Sequence, residues 1–402
     1  MKVLYLFQRG FMKKLQNIIA LTFLISLLIL IPSCTFSENE PSFENAIEVS
    51  IPTMNFSNMS DVVDTIRYVK LQQPYPDYAY QIDKVLIEND KIYIFDYYTS
   101  KALVVYDLEG NFQFSMSHPG QGPSEYLQVQ DFLVDDGNIE ILDSRERMII
   151  YDSIGTFVRS EKLPFRSQSF TKDNGSYIFQ TGKMHNDLGE NGESCELIRF
   201  NIKTKKTTCI KNVPKDQFMH SFKERNILSK IGEDLLYSTY FNDTIYGITG
   251  NNFSYKFILN FGTNTLPKKV FNLPNASFVQ FLNENGEKQF HTPHIKGSDN
   301  YFITSFRQNG ANYLIRNRKK NTQHLLKGSS FNDIDGGFPL HWVHAVNNNE
   351  IITVVDPNYI LDRMDALRAK EDILTDNEKR FIEFAQTLDI NDPQVLIFYR
   401  LK

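Results

Sequence analysis

Residues 92–112 read IYIFDYYTSKALVVYDLEGNF, and residues 139–157 read IEILDSRERMIIYDSIGTF. Both hold an apolar run ending in Asp, a short loop, a second apolar run ending in Tyr-Asp, two variable residues, then Gly and a further apolar strand. Tyr106 and Tyr151 occupy the same place in the two copies. Short apolar runs bounded by turn residues read as strands. A repeat of roughly forty to fifty residues with about four such strands is the signature of a β-propeller blade.

Working outward, six strand-rich units can be marked: 82–117, 129–164, 167–214, 227–261, 301–327, and a last one from about 341 through EIITVV at 350–355 to the terminal run 394–401. Residues 64–71, DTIRYVKL, are then an orphan strand. A ring of sheets must close or it leaves bare strand edges. The simplest closure makes 64–71 the outer strand of the last blade, beside 394–401. The expected fold is therefore all-β: a six-bladed β-propeller over 61–402, closed by pairing of an N-terminal with the C-terminal strand. Residues 358–389 read as a helical insertion in the last blade. Leu361, Met364, Leu367 and Ala369 lie near helical spacing, and Thr375-Asp376-Asn377-Glu378 forms a capping box ahead of Phe381, Ile382, Phe384, Ala385 and Leu388.

The N-terminus stands outside that fold. Lys13 and Lys14 precede an apolar stretch at 18–31, which is short for a membrane span and suited to a signal-peptide core. Met12 is the better start. The stretch ends in Ile31-Pro32-Ser33-Cys34, which reads as a lipoprotein cleavage box with Cys34 as the lipidated residue. Residues 1–33 are thus expected as a leader and 34–60 as a tether. The expected address is the cell envelope, lipid-anchored at the outer membrane, with the membrane touched through that lipid only. Net charge is −5, from 43 Lys and Arg against 48 Asp and Glu, so the positive field that supplies nucleic-acid affinity is missing. Cys195 and Cys209 flank the hairpin ELIRFNIKTKKTTCI. An oxidising compartment permits a bridge, yet neighbouring antiparallel strands rarely set two sulfurs at bridge geometry, so both states stay open.

Four segments, Tyr106-Asp107-Leu108-Glu109-Gly110, Gly120-Gln121-Gly122-Pro123-Ser124-Glu125-Tyr126, Asp333-Ile334-Asp335-Gly336-Gly337-Phe338-Pro339 and Asn391-Asp392-Pro393-Gln394-Val395, give the chain a family likeness. It resembles the six-bladed, NHL-like β-propeller lipoproteins of Bacteroidetes across nearly the whole mature chain. That resemblance implies a fold and an exported address, and no settled activity.

Blade topology sorts the loops. With strands A (innermost) to D (outermost), the B–C loops and the D-to-next-A connections share one face, and the A–B and C–D turns share the other. The C–D turns 107–110 and 152–155 carry Asp-x-x-Gly, where Asp caps amides and Gly accepts positive φ. The unusual segments fall on the opposite face. They are 72–80 with Tyr75, Tyr78 and Tyr80; 96–101 with Asp96 and Tyr98; 117–127 with Gln121, Glu125 and Tyr126; 143–147 with Asp143 and Arg145; the long connection 262–300; 328–340 with Asp335; and the helical insertion. His341 and Trp342 follow the Gly336-Gly337 turn at the channel mouth. These ten residues, Asp96 to Trp342, are the candidate ligand-binding set. Asp96 and Asp143 could hold Ca²⁺ or sugar hydroxyls, though capping of loop amides is the commoner use of such residues. His291-x-x-His294 and His341-x-x-His344 lack the Glu of a helical zinc motif, and residues three apart on a strand point to opposite faces. No metal or other cofactor is expected.

Long loops on one rim of a rigid scaffold are where binding usually resides. The function expected is a binding module for a glycan, a peptide or an envelope partner. The alternative is a metal-assisted lyase, lactonase or hydrolase at the channel mouth, and a scaffolding role in an envelope complex is a third reading. Convergence separates the first two. The enzyme needs Asp96, Glu125, Asp143, Asp335 and His341 around one point, and the binder does not.

Overall fold

The computed structural model describes residues 46–74, 81–182, 184–189, 193–213, 227–370 and 373–402. All belong to the compact unit Ser42–Lys402. The expected leader, the lipidation site Cys34, and Tyr75, Tyr78 and Tyr80 lie outside the described residues.

Six small sheets form a ring. Blade one is Lys84–Glu88, Lys91–Phe95, Leu103–Asp107 and Phe112–Met116, and blade two is Val129–Asp135, Asn138–Asp143, Arg147–Tyr151 and Phe157–Lys162. Blade three is Ser169–Asp173, Ser176–Gln180, Cys195–Phe200 and Thr207–Asn212, and blade four contains Leu228–Ile231, Asp234–Tyr237, Thr244–Thr249 and Asn252–Asn260. Blade five is Phe290–Gly297, Tyr301–Arg307, Ala311–Asn317 and Thr322–Lys327. In blade six, Ala345–Asn347, Glu350–Val355 and Val395–Leu401 come from the C-terminal part of the chain, and Val63–Lys70 supplies the outer strand. The innermost strands contact one another in sequence round the ring, blade six returning to blade one.

Closure is as expected: Ile66 pairs with Tyr399, and the antiparallel register runs from Val63–Leu401 to Lys70–Val395. The repeat holds at side-chain level. Tyr106 and Tyr151 are both fully buried, and each ring meets the Phe of the following strand, Phe112 or Phe157, at 6.3 Å and 74°. In the two C–D turns, Asp107 Oδ1 accepts from the amides of Glu109 and Asn111, and Asp152 Oδ1 from those of Ile154 and Thr156. Gly110 and Gly155 supply φ of +87° and +85°.

The core is divided among the junctions between blades. One apolar cluster joins Phe95 and Tyr97 of blade one to Phe132 and Ile141 of blade two. Another joins Leu142 and Met148 of blade two to Phe179 and Phe200 of blade three. The largest joins Ile303 and Tyr313 of blade five to Ile351 and Tyr399 of blade six and takes in Met364, Leu367 and Phe381 of the insertion. Each sheet is apolar on both faces because each face meets another sheet, and the apolar area so buried carries the stability. Charged staples also cross blade junctions: Lys172 to Glu140 at 2.7 Å between blades three and two, and Arg318 to Asp234 at 2.6 Å between blades five and four.

Two parts differ from the sequence reading, and one left open is resolved. The stretch read as tether, 34–60, is folded from Ile47 onward. Ile47–Ser50 lies parallel to Asn252–Asn260 as a fifth strand on blade four. Phe56 then bridges Leu325 on the outside of blade five, and the short helix Met59–Val62 leads into blade six. Val49 and Ile51 are buried against Leu259, Phe261 and Phe306, which is why the strand holds. The connection expected over 262–300 ends earlier, since Phe290–Gly297 is the innermost strand of blade five. Its Pro293 is accommodated because the register slips between Thr292 and Lys296. Of the two states left open for the cysteines, the bridge forms: Cys195 and Cys209 are joined, with Cα atoms 5.7 Å apart. Register shifts on either side of Leu197 bring the two together from positions that are not directly opposite. The insertion is helical, as Pro357–Arg368 and Asp376–Ala385, and Thr375 and Glu378 make the capping box. Among the described residues, no helix is long and apolar enough to cross a membrane.

Candidate functional site

The Gly-Gln-Gly-Pro-Ser-Glu-Tyr loop ties blade one to blade two. Asp143, at the end of strand B of blade two, accepts from the amides of Leu127 and Gln128 with Oδ1, and from Arg145 and Arg147 with Oδ2. The two guanidiniums, thus fixed, donate to the loop's carbonyls: Arg145 to Gly120, Gln121 and Glu125, Arg147 to Gly122 and Glu125. Glu125 turns back to accept from the Gly122 amide at 2.7 Å. A Cβ at Gly120 would stand 2.1 Å from Glu125 Oε2, so a side chain there would displace the Glu125 carboxylate from the Gly122 amide. Tyr126 is buried and donates to the Lys101 carbonyl at 2.7 Å. Five of the ten candidates, Gln121, Glu125, Tyr126, Asp143 and Arg145, are thus brought together as one staple. Only Gln121 of the five presents an exposed side chain.

Asp96 is a loop cap. It accepts from the amides of Gln81, Tyr98, Thr99 and Ser100 and from the Ser100 hydroxyl. Burial pushes its carboxyl up, but the bonds from Ser100, Thr99 and Gln81 outweigh that and hold it below the usual range. The neighbouring Tyr98 is 49% exposed. Asp335 is buried, and accepts from Asn332, from the Gly337 amide and from the Tyr68 hydroxyl at 2.9 Å. Burial raises its carboxyl despite those bonds, and the same burial, with Asp335 beside it, raises Tyr68 well above an ordinary phenol. Asp335 thus joins the loop before blade six to that blade's outer strand. The acidic candidates form separate, locally satisfied caps. Among the described residues, no three of His, Cys, Asp and Glu stand where they could share one cation.

The histidine pairs also diverge. His291 shares hydrogen bonds with Thr304 Oγ1 at 2.8 Å and Ser238 Oγ at 2.9 Å, within the wall of blades four and five. His294 bonds the Val343 carbonyl with Nε2. Above it lies Trp342, its ring centroid 4.5 Å from that of His294.

What gathers is an aromatic row. Trp342, the single Trp of the chain, is 44% exposed. His341 is exposed beside it and meets Phe338 at 6.3 Å. Phe338 meets Tyr359, in the first turn of the helix Pro357–Arg368, at 6.1 Å, and Tyr359 is 50% exposed. Trp342 is set by the chain just before the innermost strand of blade six, where its carbonyl accepts from Thr353 at 2.7 Å. The row therefore runs from the insertion to the channel mouth. Sequence reading found His341 and Trp342. It missed Phe338 as a partner and Tyr359, whose place becomes known only when the insertion folds over the turn.

Sequence reading missed the charged groups of the innermost strands, Lys84, Asp131 and Lys296. Lys84, on the innermost strand of blade one, pairs with Asp131 on that of blade two at 2.6 Å, and also donates to the Phe132 carbonyl. Asp131 accepts further from the Phe170 amide at 3.1 Å and the Tyr97 hydroxyl at 3.4 Å. Lys296 belongs to the innermost strand of blade five. Burial, then the Lys84 ammonium, pull it down to about 8 against the pull of Asp131. Burial drops His294 to about 3 and His344 to about 4, so both rings are neutral.

These features define a six-bladed β-propeller with an aromatic row beside the innermost strands of blades five and six. Residues 45–400 match the family described as domain of unknown function DUF4934, and the chain belongs to that family. No curated protein matches it. Among solved structures it is similar to a Bacteroides fragilis protein named as an exported protein, at 15% identity and a TM-score of 0.70, over 89% of this chain and 99% of that one. That likeness shows the fold. A chain of the S. cerevisiae complex of Dbp5 with Nup159 and Gle1 (11% identity, TM-score 0.36, 77% of this chain and 80% of that one) and the Neurospora crassa Pan2 WD40 domain (12%, 0.35, 64% and 70%) are far less similar.

Proposed function

We propose that the protein is a binding module that takes a saccharide chain at its channel mouth, held at the envelope through lipid on Cys34 in the manner of the Bacteroidetes propeller lipoproteins it resembles. The observation that carries this reading is the row of Tyr359, Phe338, His341 and Trp342, in which Phe338 is half-buried and the other three are exposed. Aromatic rings offer a flat apolar face with a polar edge, which suits the C–H face and hydroxyl rim of a sugar. A rigid ring of blades holds such a row in place at little entropic cost on binding. The acids that a metal-assisted lyase, lactonase or hydrolase would need are committed to loop caps, which favours the binder. The reading invokes no cofactor and no nucleic acid.

The test is isothermal titration of the full chain in detergent against oligosaccharides and unstructured peptides. Oligosaccharides should bind, and Trp342→Ala should weaken them by about tenfold, ~1.4 kcal/mol. Binding of peptides alone, or saccharide binding indifferent to Trp342, would reject the proposal.

A further inference from the structure

We propose that Ser194 is an activated nucleophile and that Ser194, His185 and Asp187 form an acyl-transfer site, an esterase for short acyl esters, on the B–C loop of blade three. The site lies apart from the aromatic row of blades five and six and does not rest on the saccharide reading.

The loop leaves the sheet after Ser176–Gln180 and re-enters it at Cys195–Phe200. Across it, His185 Nδ1 shares a hydrogen bond with Ser194 Oγ at 3.1 Å, and Asp187 Oδ1 stands 3.3 Å from His185 Nε2. In a neutral imidazole the carboxylate favours the ring proton on Nε2 and leaves Nδ1 as an acceptor. The Asn186 amide donates to Ser194 Oγ at 3.2 Å, which leaves the hydroxyl proton to Nδ1. The order is nucleophile, base, orienter. Contacts of this length are common before a substrate arrives and tighten in its complex.

The three are held by their neighbours. The Asn186 side chain, between base and orienter, accepts from the Cys195 amide and donates to the Cys195 carbonyl, both at 2.9 Å. Cys195 follows the nucleophile, is fully buried and is bridged to Cys209. One side chain thus clamps His185 and Asp187 against Ser194. Ser194 is half-buried, and the His185 and Asp187 side chains are 81% and 82% exposed, so an ester reaches Oγ from solvent. A loop this open suits a short acyl group such as acetyl. In the reaction Oγ bonds to the carbonyl carbon as its proton passes to Nδ1. The bond from that carbon to the alcohol oxygen breaks, and the alcohol leaves with the proton. Water then attacks the acyl carbon, giving a proton back to Oγ through Nδ1 and releasing the acid.

The experiment treats the full chain in detergent with a fluorophosphonate and, separately, with p-nitrophenyl acetate. The fluorophosphonate should phosphonylate Ser194 with loss of fluoride, read by peptide mass. His185→Ala should slow that labelling at least about a hundredfold, and added imidazole should restore part of it, which a merely structural histidine would not show. Asp187, a positioning residue, is tested by Asp187→Asn, which should slow labelling, and Asp187→Glu, which should keep it. Wild type should turn over p-nitrophenyl acetate and Ser194→Ala should not, with urea midpoints checking that the variants fold. Labelling in urea asks whether the relay needs the fold, whatever the variants do, and there it should be lost. The proposal is overturned by no label on Ser194, by labelling that survives His185→Ala or urea, or by turnover that is absent in wild type or undiminished in Ser194→Ala.

Discussion

Asp143 shows what an acidic residue at the end of an inner blade strand does in this protein. Its side chain is fully buried and holds two amides and two guanidiniums, which in turn hold the loop that joins blades one and two. Asp143→Ala would leave Arg145 and Arg147 without their counter-ion and should cost about 3 kcal/mol in urea unfolding. A variant as stable as wild type would remove the staple from this account. His291 sets a second test. Burial lowers it to about 4, against an ordinary value near 6.5. The unfolded chain therefore binds the extra proton between those values, and stability is lost as pH falls through that window. His291→Gln does not titrate. Relative to wild type it should gain about 2 kcal/mol between pH 7 and pH 5, read from urea midpoints at the two pH values. A constant difference would show that His291 is not held neutral. Sequence alone could name Asp96 and Asp143 as cap or ligand but could not choose. The choice depends on amides up to sixteen residues away, at Gln81, Leu127 and Gln128.

At the scale of elements, legibility followed periodicity. Apolar runs ending in Tyr-Asp mark blades one and two because the same packing recurs at Tyr106 and Tyr151. The capping box before Asp376–Ala385 is local and was readable for that reason. The elements that escaped are short or broken. Ile47–Ser50 has four residues, and its partner strand begins two hundred residues later. Phe290–Gly297 contains Pro293, which argues against a strand until a register slip makes room for it. The channel groups escaped for a different reason. Lys84, Asp131 and Lys296 share no motif, and only the ring brings their strands together.

At the scale of the whole molecule, closure depends on one sheet with strands from both parts of the chain. Val395–Leu401 lies between Val63–Lys70 and Glu350–Val355, so it holds the outer strand to the inner ones. Deleting residues 393–402 should release the outer strand, expose the Tyr399 and Ile351 cluster, and replace cooperative unfolding with a broad transition in calorimetry. A sharp transition at the wild-type temperature would mean that the ring closes by other means. The functional claim also belongs to this scale, because the mouth is built from blade five, blade six and the insertion together. Trp342 reports on it directly, being the one Trp in the chain and 44% exposed at the mouth. The deciding measurement is Trp emission of the full chain during titration with an oligosaccharide. The account predicts a saturable change that follows the calorimetric isotherm, and tight calorimetric binding with unchanged Trp342 emission would contradict it.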